Sequence, residues 1–252
     1  MSRTLLCAAS AGLWLLLSSV NLQAAVSLSG TRLIFDGRFQ EASLEVTNRS
    51  SREVLIQAWL SDPGNVDGDP DISDASLPFA LSAPLSRLDP GARQKIRILY
   101  QGEGMPQDSE SLLHLYVLEI PRRVDGANQL SIAIRQRLNL FYRPPGLPSD
   151  PAGTAYRLRW TLARRGAGQA SLRVTNPTLF HAAIQDVRLG GVAINESLLL
   201  APGASHDMHV ASGKAGQRLS FQTLTDYGAP QSYCAQGNGD GFLTTEYRQK
   251  DC

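Results

Sequence analysis

Short apolar runs of period two, each closed by a turn signal within a few residues, succeed one another along almost the whole chain. Val26-Ser27-Leu28 leads into Thr31 to Phe35 and the turn Asp36-Gly37. Ala42 to Thr47 alternates Leu44 and Val46 with Glu45 and Thr47. Val54 to Leu60, Leu77 to Leu81, Gln94 to Tyr100 (after the turn Asp89-Pro90-Gly91), Leu112 to Ile120 and Leu130 to Tyr142 follow. Period two sends successive side chains to opposite faces of a strand, so each run covers a core with one face. Seven such runs in about 120 residues predict a Greek-key β-sandwich. No segment carries a helical period of useful length.

The run from Arg143 to Pro151 interrupts this pattern with four prolines and a glycine. Proline removes ladder donors, so the first sheet system must stop there. New strand-like runs follow at Tyr156 to Leu162, Ser171 to Thr175, Ala182 to Leu189, Leu198 to Leu200 and Leu219 to Thr225. The expected organisation is all-β with two sandwich domains, residues 25–146 and 147–252. Ahead of them, Arg3 precedes an apolar run from Leu5 to Val20 and the small-residue stretch Leu22 to Ala25. Residues 1–24 are read as a cleavable signal peptide, since the run is short for a membrane anchor.

Cys7 leaves with that leader, and Cys234 and Cys252 remain. An even cysteine count in an exported chain predicts one disulfide, worth roughly 3 kcal/mol for a loop of about this size. A metal site is the weaker alternative, because partner ligands are missing at this spacing. The net charge of +1 argues against a nucleic-acid stripe. Five aspartates between Asp62 and Asp74 do not have the glycine and closing glutamate of a calcium loop at the required spacing and read as a solvated connection. Asn48-Arg49-Ser50 and Asn195-Glu196-Ser197 match a glycosylation sequon, a short pattern that carries little weight by itself. His114, His181, His206 and His209 form no metal spacing, and no nucleophile elbow, zinc motif or phosphate loop is present. Neither a catalytic residue, a metal nor a cofactor is expected.

Residues 128–144 are the most informative segment. Leu130, Ile132, Ile134, Leu138 and Leu140 share one face, and Ser131, Ala133, Arg135, Arg137 and Asn139 the other. On pattern alone this is a half-buried strand. The run Leu138 to Pro144, preceded by Ile132-Ala133-Ile134, resembles the signature of periplasmic pilus chaperones of the chaperone–usher pathway, the PapD-like family. The likeness extends over the mature chain, through Ala25 to Phe35, Leu88 to Gly91, Pro106 to Leu112, Leu118 to Pro121, Asn176-Pro177-Thr178 and Thr225 to Gly228.

The resemblance implies two immunoglobulin-like domains in a boomerang and a chaperone that lends a strand to pilus subunits lacking their last one. Leu130, Ile132 and Ile134 then become alternating donor side chains for the subunit's groove. Arg32 matches the cleft arginine that grips the subunit's C-terminal carboxylate. The family's second cleft cation, usually lysine, falls at Asn139, so Arg137 on the same face is the candidate replacement. Glu110, Arg143 and Asp226 match a charge cluster that ties the domains together. The implied partners are pilus subunits and an outer-membrane usher. A hydrophobic edge is an aggregation hazard, so the free chain is expected to hide it by self-association or loop cover. The competing readings are an immunoglobulin-like surface protein or pilus component, and, more remotely, a hydrolase.

Overall fold

The computed structural model describes residues 26–65, 77–123, 131–165, 169–194, 197–210, 217–238 and 241–246. The leader (residues 1–24), Leu130, most of the aspartate-rich segment, Asn195 and Cys252 lie outside the described residues.

The first half holds β1 (Val26–Leu28), β2 (Arg32–Asp36), β3 (Glu41–Asn48), β4 (Val54–Ser61), β5 (Phe79–Leu81), β6 (Leu85–Leu88), β7 (Arg93–Tyr100), β8 (Ser111–Pro121) and β9 (Ile134–Arg143). They form a sheet of order β1-β3-β7-β5 facing a sheet of order β2-β9-β8-β4-β6. The alternation read in the sequence decides which residues face inward. In β7, Ile96 and Ile98 are buried while Lys95 and Arg97 are exposed, and they meet Leu44 and Val46 of β3 in one core with Ile56, Leu115, Val117, Leu138 and Leu140. Full burial of each such side chain contributes roughly 1.5–3 kcal/mol. The first segment divides between the sheets: β1 pairs antiparallel with β3, and β2 pairs parallel with β9, from Arg32 opposite Asn139 to Asp36 opposite Arg143.

The second half begins differently from expectation. Tyr156 lies in a single-turn helix, Thr154–Arg157, and the strand starts only at Arg159. A lone turn carries too few positions to show a 3.6-residue period. Strands β10 (Arg159–Arg165), β11 (Gln169–Thr175), β12 (Ala182–Leu189), β13 (Val192–Ala193), β14 (Leu198–Leu200), β15 (Ser205–Val210), β16 (Arg218–Leu224), β17 (Pro230–Asn238) and β18 (Gly241–Glu246) follow. They form one continuous ladder, β13-β12-β16-β17-β18-β10-β11-β15, with β14 on β12. It encloses Trp160, Leu172, Val174, Ile184, Met208, Phe221 and Tyr233. The expectations omitted β15, β17 and β18, as well as the short β6 and β13, because these strands are very short or rich in polar, small or turn residues and show little alternation. Cys234 on β17 is disulfide-bonded.

The same device closes a corner of each half. Asn48 is fully buried at the end of β3; its side-chain amide donates to the carbonyls of Arg52, Leu88 and Asp89, and its Oδ1 accepts from the Ser50 N–H. Asn176, also fully buried, donates to the carbonyls of Phe180, Leu200 and Ala201 and accepts from the Thr178 N–H. One asparagine thus replaces ladder partners where the chain leaves a sheet. The Asn48 sequon is therefore structural, its amide spent in the interior.

Candidate functional site

Strand β9 changes character along its length. Tyr142, Leu140 and Leu138 are sealed in the core. Gln136 on the same face is half-buried, Ile134 is 38% exposed and Ile132 is 62% exposed. Among the described residues strand structure begins at Ile134 rather than at Leu130 as expected, and Ser131 to Ala133 belong to no strand. From Ile134 to Leu138 one edge of β9 is bonded to β8. On the other edge β2 reaches only from Asn139 to Arg143, so among the described residues no strand covers positions 134–138. An apolar row, a bare edge and period-two spacing are what an added strand needs.

The opposite face of the same strand carries the polar residues. The register places Arg32, Asn139, His114 and Ser61 side by side on β2, β9, β8 and β4. Arg32 lines a cavity of about 510 Å³ between the two halves, together with Glu110, Phe141, Arg143, His181, Asp226 and Tyr227. Its guanidinium lies 5.8 Å from the centre of the Phe141 ring, and its Nε is buried without a hydrogen-bond partner. Burial pulls its pKa down, countered in part by the fields of Asp226 and Glu110. Asn139 makes no side-chain hydrogen bond among the described residues, and Arg137 stands exposed opposite Tyr116, one step along β9. Neither Asn139 nor Arg137 lines the cavity.

Arg143 is the committed cation of the region. Its guanidinium donates to Glu110 Oε2 at 2.7 and 3.0 Å and to Asp226 at 2.9 and 3.2 Å. Burial works against its charge, but the bonds and fields of Asp226 and Glu110 outweigh it and raise its pKa. The carboxylate of Glu110 also accepts from the His181 backbone N–H at 2.8 Å and meets the ring Nδ1 at 3.0 Å. His181 escaped the sequence reading because it lies 71 positions from Glu110, a separation no local pattern spans. The Tyr227 ring, 96% exposed, stands on the cavity wall. Gly228 beside it takes φ +80, and a Cβ there would come within 2.6 Å of Thr31 Oγ1. Only glycine fits so close beneath the neighbour of Arg32. Of the two arginines on the cavity wall, Arg143 is bonded to the carboxylates of Glu110 and Asp226, while the buried Nε of Arg32 has no hydrogen-bond partner among the described residues. Among the described residues no cluster of metal-ligating side chains is present.

Two family models match the chain: "Pili and flagellar-assembly chaperone, PapD N-terminal domain" over residues 25–148 and "Pili assembly chaperone PapD, C-terminal domain" over residues 154–235. Chaperone protein MrkB of Klebsiella pneumoniae is 35% identical, covering 81% of this chain and 88% of its own length. Chaperone protein FimB/FhaD of Bordetella pertussis is 33% identical, covering 84% and 88%. The crystal structure of the CupB2 chaperone of Pseudomonas aeruginosa superposes with a TM-score of 0.69 at 26% identity, over 84% of this chain and all of that one. The fold, the two matched domains and these relatives agree: the chain belongs to the PapD-like family of pilus-assembly chaperones.

Proposed function

We propose that this protein is exported to the periplasm, captures pilus subunits there by lending them the exposed start of β9, and hands them to an outer-membrane usher without catalysis. The observation that carries the reading is the bare edge of β9 with Ile132 and Ile134 out of the core. An incoming sheet edge would take main-chain hydrogen bonds from this segment and seat the alternating side chains in its own unfinished core. Each seated side chain contributes roughly 1.5–3 kcal/mol. Leu130 extends the same row by sequence. Capture of this kind is strand pairing and burial, which needs neither cofactor nor nucleotide.

Arg32 is the anchor for the subunit's terminal carboxylate, with Asn139 beside it as an uncharged donor and Arg137 contributing positive field from the next step of β9. The unbonded, half-desolvated guanidinium of Arg32 supports this role, because a desolvated cation gains more from a bidentate carboxylate than a hydrated one. Glu110, Arg143 and Asp226 hold the angle between the domains.

Periplasmic co-expression with the subunits encoded beside an usher gene tests the proposal. A soluble one-to-one complex is expected. Ile132→Asp/Ile134→Asp should abolish it, and Arg32→Ala should reduce recovery at least about tenfold, the equivalent of one charge-assisted hydrogen bond. Recovery of the complex from the double aspartate variant at wild-type yield would refute strand donation.

A further inference from the structure

We propose that His114 is the second group on a carboxylate held at Arg32, the imidazole standing on one side of Asn139 and the guanidinium on the other. The inference rests on the carboxylate-anchor reading above and names the residue that completes it.

Asn139 is the direct neighbour of Arg32 across one ladder and of His114 across the next. Directly opposed residues point to the same face of a sheet, and neighbouring strands stand roughly 4.8 Å apart. Arg32 and His114 therefore flank Asn139 with their Cα atoms roughly 9–10 Å from each other, a span that a carboxylate above Asn139 bridges. Arg137, the other candidate, is one step further along β9, opposite Tyr116. His114 is nine-tenths buried, its ring lies edge-on to Tyr116, and its Nδ1 is without a hydrogen-bond partner among the described residues. A buried polar ring that is unsatisfied in the free protein is a costly feature, and an arriving carboxylate would relieve it.

The charged groups acting on the ring are Arg137 from β9, which opposes its protonation, and Asp62 after β4, which favours it; burial is the largest influence and keeps the imidazole neutral below its ordinary range. Arg32 stands one strand further off, and Tyr116 and Ser61 are its uncharged polar neighbours on β8 and β4. A carboxylate within about 4–6 Å favours the imidazolium. By linkage, the protein should bind carboxylate more tightly as pH falls through the His114 titration, and a tenfold gain corresponds to moving that titration up by about one pH unit.

The test is an NMR titration of the imidazole signals of the full mature chain, alone and with three probes: sodium acetate, an alternating valine–threonine peptide with a free carboxylate, and the same peptide as its C-terminal amide. The acid probes should raise the His114 titration and the amide should not, and the pH dependence of affinity should vanish in His114→Gln. As a check that needs no ligand, Asn139→Asp should raise the His114 titration by itself. If the acid probes move the Arg32 guanidinium signals while His114 stays unchanged, or if Asn139→Asp leaves His114 unmoved, the anchor stands and the role of His114 is overturned. Acid-probe binding that survives Arg32→Ala at full strength overturns the anchor reading and the inference with it, as does the absence of any response from both residues.

Discussion

Glu119 is a carboxylate in a place built for apolar side chains. It is 4% exposed on the inner face of β8, opposite Ile134, and its Oε2 has no partner. Burial raises its pKa, partly opposed by a hydrogen bond from the Val26 backbone. Gln136 Nε2 donates to the Val26 carbonyl at 3.3 Å, so two polar side chains of one sheet hold the first residue of β1 in the other. The sign of the pH effect follows from the raised value. Just above the ordinary glutamate range the folded protein holds a proton that the unfolded chain has released, so stability falls as pH rises through that window. Glu119→Gln should remove this slope and leave the protein as stable as wild type or more so at neutral pH, read from urea midpoints measured across the window. A wild-type slope in the variant would show that the carboxyl is solvated.

At the scale of elements, the fold depends on how strands end. Asn48 and Asn176 each supply three donor contacts and an acceptor at a sheet corner. Removing such a group strands several buried carbonyls at once, each costing about 1–3 kcal/mol when unsatisfied. Asn48→Ala and Asn176→Ala should each lower stability by about 3 kcal/mol, measured by urea denaturation, and Asn48→Ala should affect the first sandwich and Asn176→Ala the second in hydrogen exchange. The start of β9 obeys the same logic in reverse. Because β2 begins only at Arg32, opposite Asn139, and β1 joins the other sheet, the start of β9 has β8 on one edge and, among the described residues, no strand on the other, and the residues that continue its core-facing row stand outside the core.

For the whole molecule, the interdomain seat rests on unequal partners. The Glu110 side chain is almost wholly buried and Asp226 is substantially exposed. Glu110→Ala would leave the His181 N–H without its acceptor and the Arg143 guanidinium with only its Asp226 bonds, breaking a buried pair at a cost of about 3–5 kcal/mol. Asp226→Ala removes a pair nearer solvent and should cost under about 1 kcal/mol, while still loosening the turn that Gly228 seats against Thr31. Thermal unfolding should rank the two, and small-angle scattering should show a broader spread of interdomain distances in both. Equal loss of stability would mean that the two carboxylates share the guanidinium evenly.

Alternation of Leu44, Val46, Ile96 and Ile98 with charged neighbours was enough to specify a sandwich, because period two is a local property that any strand must satisfy to cover a core. The proline run from Arg143 to Pro151 likewise marks the end of a sheet through local chemistry alone. The roles proposed for Arg32, Asn139 and Arg137 came only from likeness to a family, since nothing in their own spacing distinguishes them from surface polar residues. Tertiary structure decided what no local pattern contains: that β2 runs parallel to β9 and begins only at Arg32, that Asn139 has Arg32 on one side and His114 on the other, and that His181 closes on Glu110. Those relations join residues tens of positions apart, and they exist only once strands from distant parts of the chain have paired.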